Sequence, residues 1–105
     1  MEKERIESLL DKVLLATRKN KIDWEKNPKS ESAYKAELAY NTIHILGVSN
    51  NYTFVIINES GDEIGRLNGF AYDIKLQELY KLARIRALRI NENLDEIDSF
   101  LDGLI

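Results

Sequence analysis

The sequence predicts an α+β fold: an N-terminal helix, a four-stranded antiparallel β-meander and two C-terminal helices, in the order α-β-β-β-β-α-α, within a single domain spanning residues 1–105. Three observations lead there. Apolar residues recur every third or fourth position in the opening segment. From Ala33 to Leu67 they alternate with polar residues or form short blocks separated by turn-forming stretches. After Asn68-Gly69 the helical spacing returns. A helix repeats its faces about every 3.6 residues and a strand every two, so a change of period marks a change of structure.

The first helix is expected over residues 2–20. Ile6, Leu9, Leu10, Val13 and Thr17 share one of its faces. Glu2, Glu4 and Glu7 lie near its start, with Arg18, Lys19 and Lys21 at its end. That charge order suits the helix dipole, so the basic cluster needs no phosphate to explain it. Ile22-Asp23-Trp24 reads as a short extended piece. The polar stretch EKNPKSES after it reads as a loop, and Pro28 disfavours helix at Asn27.

In AYKAELAY, Tyr34, Ala36, Leu38 and Tyr40 alternate with Lys35, Glu37 and Ala39, as in a strand with one wet face. A turn is expected at Asn41-Thr42, then a strand in TIHILGVS and a turn at Ser49-Asn50-Asn51, where Asn tolerates the left-handed conformation. The next strand, YTFVIIN, contains Phe54-Val55-Ile56-Ile57, which is apolar on both faces. It therefore reads as a central strand, covered at least in part on each side. Gly61 supplies the turn before the last strand, EIGRL. Gly47 and Gly65 stand singly within strands and are candidates for bulges.

A helix is expected over residues 73–90, capped by Asp73. Tyr72, Leu76, Leu79, Tyr80, Ala83, Ala87 and Ile90 share one face, and Leu82, Ile85 and Leu88 widen it. The last helix is expected to begin at Asn93, with Glu96 completing a capping box. Leu94, Ile97, Leu101 and Leu104 follow the spacing of a helix–helix seam, with Phe100 beside it, which is expected to hold the last helix to helix 73–90; a homodimer through these residues is the expectation if they find no place in the core.

Composition narrows the function classes. Apolar residues make up 44% and charged residues 31%, which describes a globular domain and not a disordered one. The chain has no cysteine, so disulfides, thiol catalysis and thiolate metal sites are excluded, and a reducing cytoplasm fits. The N-terminus lacks the long apolar run of a signal peptide, and no stretch has the length of a membrane span. A net charge of −3 argues against a dedicated nucleic-acid binder.

His44, the one histidine in the chain, lies between Ile43 and Ile45 and so faces away from both. A general base there would need an orienting acid, for which Glu37 and Glu59 are the candidates. The acidic turn Glu59-Ser60-Gly61-Asp62-Glu63 lacks the alternating ligand spacing of a calcium loop. No catalytic residues, no metal site and no cofactor are expected. Helix 73–90 carries Lys75, Lys81, Arg84, Arg86 and Arg89 against Asp73 and Glu78, whereas Glu92, Asp95, Glu96, Asp98 and Asp102 follow it. Ion pairing between the two C-terminal helices is the expected consequence. Trp24 reads first as a residue closing the end of a small core and otherwise as a binding anchor. Tyr34, Tyr40 and Tyr52 suit either setting, His44 is a candidate for lining a ligand pocket, and Arg84, Arg86 and Arg89 are candidates for holding an acidic partner or phosphate.

The sequence therefore points to a small cytoplasmic, non-enzymatic module that binds another protein, of inhibitor, immunity or adaptor type, with phage–host conflict among its settings. The alternative is a small-molecule sensor with a pocket between the sheet and the C-terminal helices.

Overall fold

The computed structural model describes residues 2–69 and 73–105, the side chains of Glu2 and Asp73 excepted. Tyr72 and the capping side chain of Asp73 thus lie outside the described residues. The elements are α1 (Glu2–Arg18), β1 (Glu25–Lys26), β2 (Ala33–Leu38), β3 (Asn41–Val48), β4 (Asn51–Ile57), β5 (Glu63–Asn68), α2 (Asp73–Ala87) and α3 (Ile90–Asp102). The strands form one antiparallel sheet in sequence order, β1 to β5. The α+β architecture matches the expectation, with five strands among the described residues in place of four.

The additional strand falls in the stretch expected to be a loop. Glu25 and Lys26 pair with Lys35 and Tyr34. Two residues carry no periodicity, so only the neighbouring strand reveals them. A strand this short also leaves little edge for a foreign strand to join.

α1 and α2 pack together on one face of the sheet. Leu10, Val13 and Leu14 of α1 and Leu76, Leu79 and Ala83 of α2 meet Tyr34, Ala36, Ile43, Ile45, Phe54, Ile56 and Leu67 from the strands. Leu10, Ile45, Phe54, Leu76 and Leu79 are completely buried. Each such side chain contributes about 1.5–3 kcal/mol relative to exposure. Ion pairs brace the two helices: Arg18 donates to both carboxylate oxygens of Glu78, and Lys75 lies 2.8 Å from Asp11. Among the described residues no ion pair joins α2 to α3, so the expected pairing of the C-terminal helices gives way to pairing of α2 with α1.

Among the described residues no helix covers the sheet's other face. One row across it reads Glu25, Lys35, His44, Val55 and Arg66. β3 is the central strand. β4 lies beside it, yet Val55 on the open face is only 5% exposed, between His44 and Arg66 in the ladder. The expectation of partial cover on both faces of this strand therefore holds without a second layer.

Turns differ in detail. Ser49 and Asn50 both have positive φ, as a two-residue hairpin of the right twist requires. The preceding turn is at Ala39-Tyr40, two residues before the expected Asn41-Thr42, and Ala39 takes φ 56°. Gly61 has φ 89°, as expected. Gly65 adjoins a bulge: Ile56 pairs with Gly65 and Ile57 with Glu63, leaving Ile64 unpaired. Gly47 marks no bulge. A Cβ there would sit 2.9 Å from the Tyr80 ring and 3.0 Å from that of Tyr52, so its role is to let two aromatic rings approach the backbone.

α3 begins at Ile90, three residues earlier than expected. Arg89, at φ 52°, breaks the chain direction between α2 and α3. Asn93 lies inside the helix and its amide donates to the carbonyl of Leu88, closing the end of α2 instead of capping α3.

Candidate functional site

The aromatic candidates divide by burial. Trp24 is 5% exposed, and its indole N–H donates to the hydroxyl of Thr17 at 3.0 Å. Thr17 in turn donates to the carbonyl of Val13 at 2.7 Å. Tyr34 is also buried, its ring 5.4 Å from that of Tyr80, which lies 5.3 Å from Tyr52 on the other side. These rings fill the space between α2 and the sheet. Of the aromatic candidates Tyr40 alone is largely exposed, at the tip of the β2–β3 hairpin.

His44 faces the open side of the sheet, half-buried. Its cross-strand neighbours are Lys35 and Val55, so neither Glu37 nor Glu59 stands opposite it. Burial and the nearby Lys35 ammonium both lower its pKa, burial more. Asn27 approaches its Nδ1 at 3.4 Å. The Asn27 oxygen accepts the Lys29 backbone N–H, which leaves the amide nitrogen facing the ring and favours an unprotonated Nδ1. The arrangement holds a neutral histidine in place and offers no acid–base relay.

Arg84 and Arg89 are exposed and Arg86 is half-buried. Arg86 and Arg89 border a shallow pocket of about 280 Å³, but Asp23 and Glu92 line it too. Two acids offset the two arginines, which removes the field an anion would need. The candidate residues thus do not converge on one place. Among the described residues no cluster of three or more His, Cys, Asp or Glu could hold a metal ion, and no helix is long and apolar enough to cross a membrane.

The exposed apolar surface lies elsewhere. α3 has no buried residue, and it packs on the rest of the molecule mainly through α2. Leu94, Ile97, Phe100, Leu101, Leu104 and Ile105 are each between 48% and 103% exposed. At 100° per residue these six and Ile90 fall within a sector about 140° wide. Asp98 borders the stripe on one side and Glu96 on the other, with Glu92, Asp95 and Asp102 behind. The molecule is correspondingly long, 59 × 29 × 26 Å. The seam residues were legible from their spacing, and the structure leaves them without a place in the core.

A second apolar surface gave little signal in the sequence. A cavity of about 390 Å³ opens between α1 and the sheet, at the β2–β3 hairpin end. Ile6 and Leu9 line one side and Leu38, Ile56 and Ile64 the other, with Arg5 and Asn41 the polar members. The bulge beside Gly65 frees Ile64 from the strand alternation, so this single glycine is the one hint the sequence holds.

Comparison with protein-family models, with curated proteins and with solved structures finds no match.

Proposed function

We propose that the chain is a small cytoplasmic, non-enzymatic protein-binding module whose docking element is α3. One observation carries this reading: six large apolar side chains on and just beyond α3 are exposed while none of the helix is buried. Contiguous apolar surface of this kind marks interaction sites, because each side chain gains about 1.5–3 kcal/mol on burial. The spacing of Leu94, Ile97, Leu101 and Leu104 is that of anchors on a helix that lies in a groove or against another helix. An inhibitor, immunity or adaptor role fits a rigid α+β body that projects such a helix. The open cavity under α1 has few convergent polar groups, which favours an apolar protein surface over a small polar ligand as its occupant.

A photo-crosslinking residue placed at Phe100, compared with one at Ser99 on the reverse of α3, tests the reading in cells. Protein adducts at Phe100 and not at Ser99 are expected. Absence of protein adducts at both positions overturns it.

A further inference from the structure

Among the described residues two apolar surfaces of opposite shape stand unfilled, the projecting stripe of α3 and the concave groove between α1 and the sheet. We propose that they are each other's partners between two copies of the chain: α3 of one copy seats its stripe in the groove of the second. The inference rests on the reading of α3 as a docking element and names what it docks to.

Charge selects this occupant. α3 holds five acidic residues and no basic one. Pairing two α3 stripes face to face would bring the flanking acids Asp98 and Glu96 of both copies together. The groove offers the opposite sign. Arg5 lines it, and Lys12, one heptad further along α1, projects from the same face with Leu9 between them. Neither cation forms an ion pair among the described residues. Seating the stripe against Leu9, Leu38 and Ile64 sets its acidic borders beside these two cations.

Position selects a second copy over the chain's own arm. α3 is rooted at the α2 end beside Ile22 and Trp24, beyond the C-terminal end of α1. The groove runs along residues 5–13 of that helix, short of its C-terminal turn. Two copies related by a two-fold axis can exchange arms reciprocally, which closes the assembly and covers both stripes and both grooves.

The test uses the full chain, whose lack of cysteine makes introduced thiols unique. Sedimentation should show a species of twice the 12.1 kDa chain mass. Chains carrying Ile64→Cys, mixed with chains carrying Phe100→Cys, should form the mixed disulfide. Arg5→Glu, at an exposed position, should weaken association roughly fivefold, and Leu101→Asp should abolish it. A monomer at high concentration overturns the inference. So does a dimer in which Phe100→Cys chains couple only to each other and Arg5→Glu changes nothing, since that dimer pairs α3 with α3. If the chain is monomeric while Phe100 still crosslinks to a different protein, the docking reading stands and the exchange falls. If Phe100 crosslinks to nothing, both fall.

Discussion

The indole N–H of Trp24 donates to the hydroxyl of Thr17, and that hydroxyl donates to the backbone one turn earlier in α1. The pair ties the segment before β1 to the end of the first helix, in a place where both side chains are almost completely buried. Trp24 is therefore a core residue with its polar atom satisfied. Thr17→Val keeps the shape and leaves the indole N–H without a partner. It should lower stability by about 1–3 kcal/mol, whereas Thr17→Ser should cost less. Urea unfolding of the two variants checks this.

Gly47 sits under two rings. An added methyl would meet the Tyr80 and Tyr52 rings at 2.9–3.0 Å, and those two rings already lean on each other, 5.3 Å apart, so one cannot shift without moving the other. Gly47→Ala is expected to destabilise by about 1–3 kcal/mol through overpacking. Tyr80→Leu removes the nearest ring, so the double variant should cost less than the sum of the two single ones. Additive costs in a double-mutant cycle would show that the clash is relieved some other way.

His44 should titrate below the ordinary histidine value, because burial and Lys35 disfavour its cation. The unfolded chain then takes up this proton before the folded one does. The associated stability is complete above about pH 6.5 and declines as pH falls through the lowered folded value. Proton NMR should place the His44 titration on the acid side of a histidine peptide, and Lys35→Gln should move it back toward the ordinary value. In His44→Gln that part of the pH dependence should vanish.

Leu10 and Leu101 occupy similar helical sequence patterns and opposite environments, 0% and 48% exposed. Leu10→Ala should cost about 2–5 kcal/mol, the usual result for a buried leucine. Leu101→Ser, measured at a concentration where the chain is monomeric, should stay within about 0.5 kcal/mol of the parent. Thermal or denaturant unfolding of the two variants reads the contrast. A large loss for Leu101→Ser in the monomer would show that α3 packs back on the body.

Local spacing was sufficient for much of this molecule. Leu10, Val13 and Thr17 on the buried face of α1, though not the exposed Leu9, the alternation of Tyr34, Ala36 and Leu38 against Lys35 and Glu37, the left-handed Gly61 and the seam of Leu94, Ile97, Leu101 and Leu104 all follow from period and turn chemistry. Each reflects a preference acting over a few residues. Which face is apolar can be read from such a pattern, because an exposed apolar face would lose its burial energy.

What covers each face was decided only in three dimensions. The two-residue strand Glu25–Lys26 exists because β2 offers it a ladder. The turn at Ala39-Tyr40 is two residues before the expected Asn41-Thr42, where β2 and β3 now pair Leu38 with Asn41 and Glu37 with Thr42. Trp24 is core, as its place beside a small core suggests, but the tyrosines suit core and surface equally in the sequence, and only the fold made Tyr34 core and Tyr40 surface. The same spacing that buries Leu10 leaves Leu101 in solvent, because α1 and α2 lie on the sheet while α3 packs on the body mainly through α2. Periodicity records that a surface wants a partner. Only the tertiary structure shows which surfaces found one within the chain and which, like the stripe of α3 and the groove under α1, are left facing outward.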